Sequence, residues 1–173
     1  MVNARAIFFD RDGVLVEAPK VNNLPKSPKT INDIKLCKGI VKFCKFYKKK
    51  NYHLIMITNQ PDFSRKKNSK KNINQINEYL KKKLNFDDVY VCFSDDDKCI
   101  DRKPNPGMIY IGAKKFNLNL RKSFLIGDRW RDIGAGNKAN CTTILIEKNY
   151  NEKLRYKPKY IVKNLNQIYK IIN

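Results

Sequence analysis

The sequence predicts an α/β fold with a central parallel sheet covered by helices on both faces, and three observations carry that prediction. Short apolar runs bounded by turn residues recur at residues 6–9, 54–57, 89–93, 123–126 and 142–146, each rich in β-branched or aromatic side chains. Stretches with helical spacing lie between the earlier runs. Strand-like and helical segments alternate in this way when right-handed crossovers join parallel strands.

The elements follow in order. The first run, Ala6-Ile7-Phe8-Phe9, is apolar at every position, as a strand buried on both faces must be. Residues 17–33, carrying Pro19, Pro25 and Pro28, read as an irregular flap near the end of that strand. Ile40, Phe43, Cys44 and Tyr47 then mark a helix, residues 54–57 a second strand, and Ile73, Ile76, Tyr79 and Leu80 a second helix. A third strand at 89–93 is followed by Ile109, Ile111, Ala113 and Phe116 at helical spacing, and strands at 123–126 and 142–146 complete the series. Ile161-Val162 suggests a short edge strand, and residues 165–172 a closing helix. No internal repeat or low-complexity linker interrupts the pattern, and 173 residues with 42% hydrophobic content suit one domain spanning 1–173.

No run of eighteen apolar residues is present and no signal-peptide pattern opens the chain, so a cytoplasmic protein without membrane association is expected, with a monomer as the default. The five cysteines are odd in number and not paired by spacing, which points to reduced thiols. The formal net charge of +21 is large enough to attract nucleic acid or to draw in anionic substrates. Lysines nevertheless spread along the whole chain, as in Lys48-Lys49-Lys50 and Lys81-Lys82-Lys83, which favours solvated helix faces over one selected basic surface.

Ligands of open parallel sheets bind beyond the carboxyl ends of the strands, and the chemically active residues of this chain fall there. The first strand runs into Asp10-Arg11-Asp12-Gly13, which places two carboxylates two residues apart as the chain leaves the sheet. One carboxylate suits nucleophilic attack on phosphorus and the other proton transfer to the leaving oxygen, so Asp10 is the candidate nucleophile and Asp12 the candidate acid/base. A turn in which aspartate caps nearby amides is the plain alternative. After the second strand come Thr58, Asn59 and Gln60, able to hydrogen-bond phosphate oxygens or to cap a helix. Arg102 and Lys103 precede Pro104-Asn105-Pro106-Gly107, where two cations can neutralise charge on a transferring phosphoryl group. Gly127-Asp128-Arg129-Trp130-Arg131-Asp132 follows the fourth strand, and its two acids, four apart, suit magnesium.

These four segments, in this order, resemble the haloacid dehalogenase (HAD) superfamily of phosphatases. Its motifs match Asp10-x-Asp12-Gly13, Thr58, Lys103 and Gly127-Asp128-x-x-x-Asp132. Asp10-Arg11-Asp12-Gly13, Thr58-Asn59-Gln60 and Arg102-Lys103-Pro104-x-Pro106-Gly107-Met108 are similar to the capless branch that contains D,D-heptose 1,7-bisphosphate phosphatases and histidinol-phosphate phosphatases. The resemblance implies a Rossmann-like three-layer sandwich with a central parallel sheet and no large cap domain. It also implies that Asp10 and Asp128, with the backbone carbonyl of Asp12, hold Mg2+, and that Thr58 and Lys103 grip the phosphoryl group. Asn59, Gln60, Arg102 and Arg129 become the substrate-binding candidates, Arg129 standing where heptose enzymes of the family place a lysine.

Many members of that branch carry a zinc loop of three cysteines and a histidine before the Arg-Lys-Pro segment. Here the stretch from Cys92 to Asp101 holds two cysteines and no histidine, so a structural Zn2+ is not expected and a reduced, half-buried Cys92 beside an exposed acidic loop is. His53, the only histidine, opens the second strand at the end away from the site. Trp130 either stacks on a substrate ring or, the preferred reading, packs under the flap.

The second acid, Asp12, favours phosphate hydrolysis over carbon–halogen cleavage, which needs no such proton donor. A small phosphorylated metabolite is the expected substrate, a heptose 1,7-bisphosphate ahead of histidinol phosphate. A nucleic-acid-end phosphatase and a non-catalytic binding module are the alternatives.

Overall fold

The computed structural model describes residues 4–21 and 24–172. In chain order the elements are β1 (Ala6–Phe9), β2 (Lys20–Val21), β3 (Leu24–Pro25), α1 (Ile40–Lys49), β4 (His53–Asn59), α2 (Lys70–Leu84) and β5 (Asp88–Cys92). There follow α3 (Gly107–Phe116), β6 (Phe124–Gly127), α4 (Trp130–Lys138), β7 (Thr142–Ile146), β8 (Tyr160–Val162) and α5 (Leu165–Ile168). Six strands pair in the order β5-β4-β1-β6-β7-β8, every pair parallel. This is the α/β fold with a parallel sheet expected from the alternation of elements, in the Rossmann-like form that the resemblance implies.

Strand geometry sends alternate side chains to opposite faces, and both faces are filled. Ile7 and Phe9 of β1, with Leu54 and Met56 of β4, pack against Phe43 and Tyr47 of α1, Ile76 and Leu80 of α2, and Ile168 of α5. Ala6 and Phe8, with Ile55 and Ile57, pack against Met108 and Ile109 of α3 and Ala135 and Ala139 of α4. Phe9 meets Phe43 and Phe86 edge-on, with ring centroids 6.1 and 5.3 Å away, and burying such a side chain contributes about 1.5–3 kcal/mol. All four residues of β1 are buried, so the residue that follows it leaves the sheet from a rigid base.

The compositional bias has local uses. Asn51, Asn85, Asn117, Asn140 and Asn149 all take positive φ, the left-handed conformation that asparagine tolerates best after glycine, and Asn85 and Asn117 end α2 and α3. Lys81, Lys82 and Lys83 lie in the last turn of α2, where cations complement the helix dipole.

Three local expectations need correction. The flap is less irregular than its prolines suggest, since β2 and β3 form a short antiparallel pair, Lys20 opposite Pro25 and Val21 opposite Leu24; Asn22 and Asn23 within it lie outside the described residues. In α3 the inward face is Met108, Ile109 and Gly112, while Ile111 is exposed because it stands off that stripe. The helix α4 had no apolar periodicity to announce it: Ile133, Gly134, Ala135 and Gly136 are buried in a row, and the glycines are required by closeness, since a Cβ at Gly136 would run into Thr143 of the sheet and one at Gly134 into Pro104 and Tyr156.

From β1 the chain builds outward to β4 and β5, then crosses back to β6 on the other side. The crevice between these two directions opens at the carboxyl ends of β1, β4 and β6, where a doubly wound sheet accepts ligands.

Candidate active site

Asp10 follows β1 directly, and its N–H is anchored to the Ile126 carbonyl of β6 at 3.0 Å. Lys103 reaches it from the loop ahead of α3. The lysine ammonium donates to Asp10 Oδ1 at 2.7 Å, to Asp132 Oδ1 at 2.6 Å and to the Ile57 carbonyl at 3.1 Å, which uses all three of its N–H groups. Asn59, at the end of β4, fixes the lysine backbone: its carboxamide accepts from Lys103 N–H and donates to the Lys103 carbonyl, both at 3.0 Å. Asp128 follows β6, and Gly13 makes room for it. A Cβ at Gly13 would fall 1.8 Å from Asp128 Oδ2, and the φ of +88° there suits glycine besides.

Asp10, Asp128 and Asp132 each place a carboxylate oxygen within 4.8 Å of the others. Three acids so close cannot all ionise at ordinary cost. Burial first, then Asp132, pushes Asp10 up to about 7, with Lys103 opposing. Asp128 is raised by burial and by Asp10 and Asp132. Lys103 feels the reverse: burial works against its charge, but Asp10 and Asp132 outweigh it and hold the ammonium above the usual lysine range. Asp128 Oδ1 is buried and has no hydrogen-bond partner. Crowded carboxylates with an oxygen unclaimed are what a hard divalent cation fits, and Mg2+ matches the all-oxygen donor set. Among the described residues this is the group suited to a metal ion.

Asp12 faces elsewhere. Arg11, fully buried, donates to both of its oxygens at 3.1 Å, Gln60 Nε2 to Oδ2 at 2.9 Å, and Ser27 of the flap to Oδ2 at 2.8 Å. Burial opposes ionisation, but Arg11 and these donors prevail and hold Asp12 below the usual carboxylate range. Gln60 also donates to the Thr58 hydroxyl at 2.8 Å, joining Thr58 to Asp12. Arg11 itself donates to Asn77 of α2 at 2.9 Å, so the second acid is braced from a helix.

A cavity of about 660 Å³ opens above this floor, lined by Asp10, Asp12, Asn59, Lys103 and Asp132 together with Arg102, Arg129, Arg131, Arg65 and Lys26. The arginines are held by acids of the surrounding loops. Arg102 donates to Asp97 at 3.0 Å and to the Ser94 carbonyl at 2.8 Å, and Arg131 grips both oxygens of Asp97 at 2.8 and 3.1 Å. Arg129 is paired with Glu152 through two hydrogen bonds and has a pKa raised above its usual range, since Glu152 more than offsets its burial.

The structure thus brings Asp10, Asp12, Asn59, Lys103, Arg102 and Arg129 onto one cavity. Thr58 and Gln60 stand buried behind it, and Asp128 lies in the acid cluster at its edge. Sequence reasoning paired Asp132 with Asp128 but did not see that its carboxylate is shared by Lys103 and the Arg129 N–H, the latter at 3.1 Å. It missed Arg131, Asp97, Ser27, Tyr150 and Glu152, which sit in loops or on the unannounced helix and carry no periodic signal. Trp130 does not pack under the flap. It stacks on Tyr156 with centroids 6.2 Å apart, between the guanidinium groups of Arg131 and Arg155 at 4.5 and 4.4 Å. Cys92 is buried instead of half-buried, and its sulfur lies 3.7 Å from that of Cys99.

An aspartate just past the carboxyl end of a central strand, a lysine bridging it to a second carboxylate and a cation-rimmed cavity define a hydrolase built for phosphoryl groups. Residues 100–168 match a family model described as HAD-hydrolase-like. The D-glycero-β-D-manno-heptose-1,7-bisphosphate 7-phosphatase of Helicobacter pylori strain J99 is 34% identical over 149 residues, 82% of each chain. The histidine biosynthesis bifunctional protein HisB of Buchnera aphidicola (strain Tuc7) is 31% identical over 167 residues, 92% of this chain and 45% of that protein. Among solved structures, a D,D-heptose 1,7-bisphosphate phosphatase from B. bronchiseptica, complexed with magnesium and phosphate, gives a TM-score of 0.77 at 21% identity, covering 96% of this chain and 99% of that one. The chain belongs to the HAD-like hydrolases, and within them it is a phosphatase.

Proposed function

We propose that this phosphatase removes the C7 phosphate from a heptose 1,7-bisphosphate and leaves the C1 phosphate in place. The observation that carries this reading is the division of the cavity into two charged zones. Asp10 and Lys103 occupy its floor, and Arg102, Arg129 and Arg131 stand around it, so that one phosphate can react while a second is held. The heptose 7-phosphatase of Helicobacter pylori, matched over 82% of its own length, supports the same substrate class.

In the proposed cycle Asp10 attacks phosphorus in line and forms an acyl phosphate, while the bond to the departing sugar oxygen breaks. Lys103, held rigidly between Asp10 and Asp132, neutralises charge on the non-bridging oxygens, and the Thr58 hydroxyl donates to them. Asp12 protonates the leaving alcohol and then takes a proton from the water that hydrolyses the acyl phosphate. Asp12 is anionic in the free protein, and the incoming phosphate charge beside it is what raises its proton affinity for the first step. Asp10, Asp128 and the Asp12 carbonyl would hold Mg2+, which when bound supplies Lewis-acid neutralisation of the phosphoryl oxygens.

Phosphate release with Mg2+ tests the reading on a panel of heptose and hexose bisphosphates, histidinol phosphate, nucleotides and 5′-phosphorylated oligonucleotides, at low and moderate salt. Selective release from C7 of the heptose bisphosphate, abolished by EDTA, is the expected result. Preference for histidinol phosphate would instead follow the HisB similarity. Preference for oligonucleotide ends, falling steeply with salt, would overturn the metabolite reading and give the +21 charge a role in catalysis.

A further inference from the structure

The segment 147–159, between β7 and β8, is tied down along α4 and onto β7. Glu152 pairs with Arg129, Tyr156 stacks on Trp130, and Asn137 donates to the Lys157 carbonyl at 3.0 Å. The Lys159 N–H meets both the carbonyl and the hydroxyl of Thr143 at 3.1 Å. This strap delivers one side chain into the acid cluster: the Tyr150 hydroxyl donates to Asp128 Oδ2 at 2.6 Å. Neither the family motifs nor the periodicity of the sequence singles out Tyr150.

The geometry around that bond is selective. A carboxylate turns easily about its last torsion, which is broad and twofold. A short hydrogen bond to one oxygen fixes the plane and leaves the other oxygen to face something else. Here Asp128 Oδ2 is claimed by the phenol, while Oδ1 is buried, unpartnered, and belongs to a carboxylate packed against those of Asp10 and Asp132. Gly13 completes the arrangement, because a Cβ there would lie 3.0 Å from the Tyr150 hydroxyl as well as on top of Asp128 Oδ2.

We propose that Tyr150 is a positioning residue that orients Asp128, turning one carboxylate oxygen toward the cluster and thereby setting the affinity of the site for a divalent cation. The proposal rests on the reading of Asp128 as a metal ligand. Hydrogen-bond partners of metal-binding side chains typically tune affinity by about 10–100-fold, and a phenol on a carboxylate acts in the same way. Tyr150→Phe keeps the ring and its packing and removes only the donor.

Calorimetric titration of the metal-free protein with Mg2+ reads the effect directly. The expected result is binding weakened about 10-fold in Tyr150→Phe, with the metal-free melting temperature unchanged and turnover recovered at high Mg2+. Unchanged Mg2+ affinity in Tyr150→Phe, with or without a lower melting temperature, would overturn the proposal and leave the tyrosine a packing residue. Asp128→Asn separates the two layers of the argument. If it abolishes Mg2+ binding while Tyr150→Phe keeps the native affinity, only the role of Tyr150 fails; if it binds Mg2+ as the native protein does, the ligand assignment of Asp128 fails and Tyr150 falls with it.

Discussion

The floor and the rim of the cavity are built on different principles. Asp10, Lys103, Asp128 and Asp132 are all buried, and three of the four are placed by the ends of β1 and β6 or the start of α4. Around the rim, Arg102, Arg129 and Arg131 are held by Asp97 and Glu152, which project from loops, Asp97 with 62% of its side chain exposed. Most of the groups proposed to react stand on elements that cannot shift without disturbing the core, and the groups proposed to meet the rest of the substrate are held by acids on loops, through ion pairs that solvent weakens where they are exposed. Chemistry is therefore hard to change in this molecule, and selectivity is easy to change.

Substitutions on the two sides of that boundary should differ in size. Asp10→Asn removes the charge of the proposed nucleophile at nearly constant volume, and turnover is expected to fall about 10⁴-fold or more while circular dichroism and melting show an intact fold. Measurable turnover close to native would end the covalent mechanism. Lys103→Met leaves Asp10 and Asp132 buried beside each other without their shared cation, and a loss of about 3–5 kcal/mol in urea unfolding of the metal-free protein is expected. Added Mg2+ should recover more stability in that variant than in the native chain, because a second cation then takes over part of the charge.

The rim should respond least. Asp97→Asn frees Arg102 and Arg131 from their shared acid, and steady-state kinetics should show KM altered a few-fold with kcat nearly constant. The same residue has a pH signature. Hydrogen bonds from Arg131 and Arg102 hold its carboxyl at about 2, below the value of 3.8 it has when unpaired. Its small contribution to stability is therefore complete above about pH 4 and vanishes as pH falls toward 2. Acid unfolding of Asp97→Asn, followed by fluorescence, should lack that part of the profile.

The same boundary separates what the sequence discloses from what it conceals. Strands such as Ala6–Phe9 and Thr142–Ile146 were legible to the residue, because a strand buried on both faces is apolar, as the first is throughout, or rich in β-branched residues, as the second is. Asp10 and Asp128 were legible because they follow such strands directly. The helix α4 was not, since Gly134 and Gly136 lie too close to their neighbours to carry a side chain and erase the periodicity that marks a helix. Ser27, Asp97, Tyr150 and Glu152 were invisible for another reason. Their partners lie 5–34 positions away, and no local pattern encodes where a loop residue will point.

The place of Trp130 has a practical consequence. It is the only tryptophan in the chain, and it sits between the guanidinium groups of Arg131, beside the cavity, and Arg155, on the strap, with Tyr156 stacked against it. Indole emission responds to adjacent charge and to ring contacts, so the protein carries an intrinsic optical reporter at the junction of strap and rim. Any ligand that lifts or tightens residues 147–159 will register as a spectral change without a label, in a protein whose core offers no second indole to mask the signal.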